Sequence, residues 1–97
     1  KEHGRVVRGD PGFGVRDLTK AERQSTAGAV VDRLARGGAA FKAGIEVGDV
    51  ITAVGERPIR RASDVASAMQ MHRPGDAVDV AIIRAGAPRN VIVTLEP

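Results

Sequence analysis

Glycine and proline interrupt this 97-residue chain at short intervals, which limits it to short strands and short helices. The apolar runs between the interruptions are rich in Val, Ile and Ala, and two Phe residues are the only aromatics. Small and β-branched side chains suit strands packed around a narrow interior. A chain of this length accommodates one domain. We therefore expect a single modest core enclosed by short strands.

The apolar pattern predicts strands with short helices between them. Apolar and polar residues alternate from Val15 to Leu18, as in a half-buried strand. Thr19 and Glu22 have capping-box spacing, which predicts a short helix over residues 20–25. A longer helix is predicted over residues 64–72, with Ser63 as its N-cap. Other predicted elements are strands over residues 29–34, 50–54, 77–84 and 91–95 and a helical turn over residues 39–43. This order predicts an α+β fold, a small and partly open barrel or sandwich of about five or six strands with two helices.

The segment Gly12-Phe13-Gly14-Val15 gives the strongest indication of chemistry. Two glycines around an apolar residue let the backbone take conformations that other residues resist. Successive amides can then point into one concavity that binds an anion. If the following strand has a free edge, an extended peptide can add beside it, with its terminal carboxylate on the amides of Phe13, Gly14 and Val15. The alternative is a tight turn that binds nothing.

The same residues resemble the glycine–apolar–glycine–apolar carboxylate loop of PDZ domains. Arg8 lies four positions upstream, where that family often has a basic residue that supports the carboxylate. The run Ala-Gly-Ile-Glu-Val-Gly-Asp-Val-Ile (residues 43–51) is similar to the Ala-Gly-Leu…Gly-Asp-Val-Ile run of the family. Gly-Glu-Arg-Pro-Ile (residues 55–59) resembles the turn that follows that run. The resemblance implies a PDZ-like fold that binds C-terminal or extended peptide segments by strand addition.

Two features resemble the PDZ domains of bacterial HtrA/Deg serine proteases in particular. Arg-Val-Val-Arg-Gly (residues 5–9) is similar to the Val-x-Arg-Gly junction between the protease domain and the first PDZ domain. The last predicted strand lies at the C-terminus, as in the permuted strand order of bacterial PDZ domains. The resemblance implies a lead-in over residues 1–8, a PDZ domain over residues 9–97, a neighbouring protease domain, a trimer-based parent and an extracytoplasmic location. In one departure from the family, its usual Ser-Pro before the helical turn is Gly37-Gly38 here.

Family position assigns the peptide site to two groups of residues. The carboxylate-binding group is Arg8, Gly12, Phe13, Gly14, Val15, Arg16 and Asp17. The pocket group on the long helix is Asp64, Ala68 and Met71, with Val65 and Met69 facing the core. A small Ala68 would leave room for a sizeable apolar ligand residue, and Met71 is an adaptable neighbour for it. The alternative is that these are ordinary packing and surface residues.

The residue types present disfavour other chemistry. No Gly-x-Ser-x-Gly elbow surrounds Ser25 or Ser63, so we do not expect this segment to be catalytic. The chain has no cysteine and its two histidines are far apart, so neither a metal nor another cofactor is expected. Twelve of the fifteen basic residues are Arg, but they are scattered and lack stacking aromatics, which argues against nucleic-acid binding.

Three functions remain open on the sequence alone. The first is a peptide-binding module that recruits substrates to an attached HtrA-type protease or regulates it. The second is a domain whose groove serves intramolecular or inter-subunit contacts. The third is the PDZ part of an intramembrane metalloprotease, against which the Val-x-Arg-Gly lead-in argues.

Overall fold

The computed structural model describes residues 12–24, 26–73 and 75–95. Within these ranges, six antiparallel strands form one open sheet with two α-helices against it. The strands are β1 (Phe13–Asp17), β2 (Ala29–Leu34), β3 (Val50–Val54), β4 (Arg57–Pro58), β5 (Ala77–Arg84) and β6 (Ala87–Thr94). The helices are α1 (Ala39–Ala43) and α2 (Ala62–Met69), with a single 3-10 turn over Glu22–Gln24. The predicted α+β fold with an incompletely closed sheet is confirmed.

The strand order places β1 and β6 at opposite ends of the sheet. The main path runs β1-β2-β3-β5-β6, and the short β4 pairs with β3 beside it. Every pairing is antiparallel. Arg8 and the predicted lead-in lie outside the described residues.

The core lies between one face of the sheet and the two helices. Alternate residues of β5 are buried, namely Val78, Val80 and Ile82, so that strand is fully buried on one face only. The helices contribute mainly small side chains, and Ala40 and Ala68 are both 0% exposed. Burying a Val, Ile or Leu side chain contributes about 1.5–3 kcal/mol relative to leaving it exposed. The remaining members of the buried cluster are Ala29, Val31, Ala39, Ile45, Ile51, Val54, Ile59, Val65, Met69, Val93 and Leu95.

One charged side chain, Asp49, is buried among the described residues, at 1% exposed. Arg84 Nε and Nη2 donate to its two carboxylate oxygens at 2.9 and 2.7 Å, and the Glu46 N–H donates to it at 2.8 Å. Burial opposes the charge, but the Arg84 hydrogen bonds and the Glu46 N–H outweigh it and lower the pKa of Asp49. Arg84 Nη2 also donates to the carbonyl of Gly44 at 2.7 Å. This ion pair joins the end of α1 and the start of β3 to β5.

Four of the eight predicted elements match the structure at both ends. Strands β2, β3 and β5 and helix α1 have the predicted bounds. Gly44 ends α1 in the left-handed conformation (φ +98°), as expected of a glycine past a helix end. The helix predicted over residues 20–25 exists only as the 3-10 turn, and β1 begins at Phe13 instead of Val15.

The predicted bounds of α2 and β6 are wrong. α2 begins at Ala62 and ends at Met69, so Ser63 lies inside the helix and Arg61 is the N-cap residue. It begins earlier than predicted because Asp17, distant in sequence, accepts a hydrogen bond from the Ala62 N–H. β6 begins at Ala87 because Ala85 (φ +52°) and Gly86 (φ +81°) make a two-residue turn. The sequence suggested a longer loop through Pro88, but an edge strand tolerates proline.

Candidate functional site

The predicted binding segment forms strand β1, which is an edge of the sheet. In the described part of the chain β1 pairs with β2 alone, so one row of its N–H and C=O groups has no partner strand. Phe13 and Val15 are half-buried and pack against the core. Because side chains alternate along a strand, Gly14 and Arg16 lie on the opposite face. Such an edge can accept a further strand.

Gly12 and Gly14 differ in backbone conformation and in what surrounds them. Gly12 has φ +78°, a conformation that favours glycine. A Cβ there would lie 3.2 Å from the Ala39 N and 3.3 Å from the Gly38 Cα, so the loop lies against the start of α1. Gly14 does not have a positive φ. The expectation that both glycines relax the backbone therefore holds for Gly12 and is wrong for Gly14.

At Gly14 the missing side chain leaves room for the guanidinium of Arg33, which lies over it. A Cβ on Gly14 would be 2.5 Å from Nη2 and 2.7 Å from Nε of Arg33. Arg33 is the partner of Gly14 in the β1–β2 register, and its side chain is 82% exposed. The sequence analysis missed Arg33. Its position depends on a register irregularity between Gly14 and Val15 that no local pattern signals.

Arg16 is held by a network at the far end of β1. Its Nη1 donates to Glu22 Oε1 at 3.1 Å and to the Asp17 carbonyl at 2.9 Å. Glu22 also accepts from the Thr19 N–H at 2.8 Å, while the Glu22 N–H donates to Thr19 Oγ1 at 3.2 Å, which confirms the predicted capping box. The Arg16 hydrogen bond, followed by that of the Thr19 N–H, lowers the pKa of Glu22 to about 2. The charge of Arg16 is therefore already paired.

Asp17 connects the end of β1 to the beginning of α2. Its Oδ1 accepts a hydrogen bond from the Ala62 N–H at 2.7 Å. An N–H in the first turn of a helix has no partner within the helix, and a carboxylate there also favours the helix dipole. Asp17 thus fixes how closely α2 approaches β1 at this end.

The three residues predicted for the pocket occupy different surroundings. Asp64 is half-buried and accepts from the N–H groups of Arg60 and Arg61 at 2.9 and 3.2 Å; the Arg60 bond is the main reason that its pKa is lowered. Ala68 is 0% exposed and belongs to the core. Met71 lies past the end of α2 and is 66% exposed. Ala68 therefore acts in this structure by letting its neighbours pack closely, and Met71 offers an accessible apolar surface.

Residues 12–24, 26–73 and 75–95 contain no group of three or more His, Cys, Asp or Glu side chains placed to hold a metal ion. In those ranges no helix has the length and apolar character needed to cross a membrane.

A family model described as "PDZ domain" matches residues 9–95, so the chain belongs to the PDZ domain family. Its relatives are serine endoproteases of the HtrA type. The chain is 30% identical to a probable periplasmic serine endoprotease, DegP-like, of Ectopseudomonas mendocina, over 98% of this chain and 21% of that protein. It is 31% identical to the serine endoprotease DegS of Escherichia coli, over 96% of this chain and 28% of that protein. The chain thus spans less than a third of the length of either relative.

Solved structures agree with this assignment. The HtrA-type protease AlgW with a decapeptide has a TM-score of 0.84 and 29% identity, covering 97% of this chain and 30% of that one. The PDZ domain of HtrA3 bound to a phage-derived ligand has a TM-score of 0.79 and covers 94% of this chain and 88% of that one. At 19% identity this second likeness concerns the fold alone. The predicted resemblance to PDZ domains of HtrA/Deg proteases is confirmed.

Proposed function

We propose that this domain captures the C-terminal end of an extended protein segment by adding it as a strand to the edge of β1 that faces away from β2. The observation that carries the proposal is the position of Gly12-Phe13-Gly14-Val15 at the start of an edge strand. Two related HtrA-type structures contain a decapeptide and a tripeptide, which supports a peptide as the ligand here. The matched part would act as a binding module and leave catalysis to a neighbouring protease domain.

The terminal carboxylate would accept hydrogen bonds from the amides of Phe13, Gly14 and Val15, with Arg8 supporting its charge. The ligand then runs antiparallel to β1, from the Asp17 end toward the loop, where its C-terminus lies. Its last side chain faces the side on which Phe13 and Val15 pack against the core. Short flexible peptides bind with Kd values of micromolar order, about −8 kcal/mol, because ordering the chain offsets much of the contact energy.

In a longer parent protein, the module would recruit substrates or relay peptide binding to the protease. The relatives named above are serine endoproteases, which favours this role over the metalloprotease alternative. Several relatives are named as periplasmic proteases, so we extend the proposal to an extracytoplasmic location. From the resemblance to HtrA proteases we extend it also to a trimer-based parent.

A matched pair of peptides tests the proposal. Both would have the same apolar C-terminal residue, but one would end in a free carboxylate and the other in an amide. We expect the amidated peptide to bind at least about tenfold more weakly, because hydrogen bonds to a charged group contribute about 1.5–3 kcal/mol. Isothermal titration calorimetry gives both Kd values, and equal affinities would rule out carboxylate capture.

A further inference from the structure

We propose that Arg33 selects an acidic side chain at the penultimate position of the bound peptide. This inference rests on the proposed function, since it assumes that the ligand adds as a strand beside β1. The absent side chain of Gly14 lets the Arg33 guanidinium cross from β2 over β1, to within 2.5 Å of where a Cβ would stand.

The alternation of side chains determines which ligand residue meets this guanidinium. If the last ligand residue faces the same side as Phe13 and Val15, the penultimate residue must face the opposite side. That is the side of Gly14, where the guanidinium of Arg33 lies. Neighbouring strands are about 4.8 Å apart, a distance that a Glu or Asp side chain can span to reach a cation above the adjacent strand.

The charges on this face differ in how far they are already paired. Arg16, on the same face of β1, donates hydrogen bonds to Glu22. For Arg33 the only ion-pair partner within the described ranges is Asp32, at 3.9 Å, at the outer limit for such a pair. With its side chain 82% exposed, Arg33 keeps donors available for a second carboxylate. An arginine fork matches a carboxylate geometrically, so an acidic residue is the ligand type that this position favours.

Three peptides test the inference, identical except for Glu, Gln or Lys at the penultimate position, each with a free carboxylate and an apolar last residue. On the unmodified domain we expect the Glu peptide to bind about two- to fivefold tighter than the Gln peptide, the range typical of an exposed ion pair. We expect the Lys peptide to bind most weakly. The difference in affinity between the Glu and Gln peptides should shrink as salt is raised from about 0.05 to 0.5 M, because the ion pair between Arg33 and the ligand Glu is exposed and is screened by salt.

Two variants and a control assign the preference to Arg33. Arg33→Glu should reverse the order, so that the Lys peptide binds tighter than the Glu peptide. Gly14→Ala, whose Cβ would occupy the space of the guanidinium, should reduce the preference even though Arg33 is retained. Arg57→Glu makes the same charge change on the exposed surface of β4 and should keep the wild-type order.

Thermal melts would confirm that each variant is folded. If the unmodified domain binds all three peptides equally, or if Arg33→Glu retains the wild-type order, the inference is wrong while the proposed function stands. If none of the peptides binds, the proposed function fails and the inference with it.

Discussion

At the scale of single residues, the Asp49–Arg84 ion pair stabilises the fold only when both partners are present. Asp49 is 1% exposed and accepts from both Arg84 and the Glu46 N–H, so its removal takes their shared acceptor away from donors that are largely buried. Removing one partner of a buried ion pair lowers stability by more than the intact pair contributes, because the remaining charge stays desolvated. Asp49 is therefore expected to matter for stability and not for ligand choice.

We predict that Asp49→Asn lowers the free energy of unfolding by about 3 kcal/mol, the low end for a broken buried pair because Arg84 is partly exposed. Urea denaturation at neutral pH measures the change. Asp79→Asn, an exposed carboxylate on β5, is the matched control and should change stability by less than about 0.5 kcal/mol. The account of this pair is contradicted if the two variants are equally stable.

The stability that the Asp49–Arg84 pair contributes decreases as the pH is lowered. The folded-state pKa of Asp49 is lowered, so the stabilisation is complete above the ordinary aspartate pKa and is lost as the pH falls through the folded value. Asp49→Asn should therefore lose less stability on acidification than the unmodified domain.

Residue-level roles were only partly predictable from the sequence. The Gly-Asp-Val-Ile run identified Asp49 as part of a motif, but its partner Arg84 is 35 positions away and no local pattern joins them. The same limit applies to Gly14. Its place in the loop was predictable, whereas the guanidinium of Arg33 that lies over it comes from across the sheet.

At the scale of elements, β1 and α2 are coupled by the Asp17–Ala62 hydrogen bond. Removing a side chain that caps a helix N-terminus costs about 1 kcal/mol. We predict this loss for Asp17→Ala, together with faster hydrogen exchange of the Ala62 amide. Asp32→Ala removes an exposed carboxylate from β2 and serves as the control. An unchanged Ala62 exchange rate in Asp17→Ala would mean that the bond does not hold the start of α2.

Elements were predictable where their determinants are local. β2, β3 and β5 were placed correctly because β-branched residues fill them and glycines or turns bound them. The start of α2 was missed because part of its cap comes from Asp17 on another element. The start of β6 was missed because Ala85, a residue that rarely adopts positive φ, does so in the hairpin turn.

At the scale of the whole molecule, β1 and β6 are the two edge strands of the sheet that the described residues form, and we propose a ligand only at β1. β6 forms the other edge, where Pro88 cannot donate a backbone hydrogen bond and α1 lies nearby. β1 instead offers a five-residue edge that begins beside the Gly12 loop and ends at the Asp17 connection to α2. The loop was recognisable from the sequence, but the order of strands that places β1 at the end of the described sheet depends on pairings between distant parts of the chain.

The most direct test is an NMR titration of the isotopically labelled domain with a free-carboxylate peptide that has an apolar last residue. We predict that the backbone amides of residues 12–16 shift most, that amides of α2 follow, and that those of β6 stay unchanged. The account is contradicted if the peptide binds and leaves residues 12–16 unmoved, or if the largest shifts lie along β6.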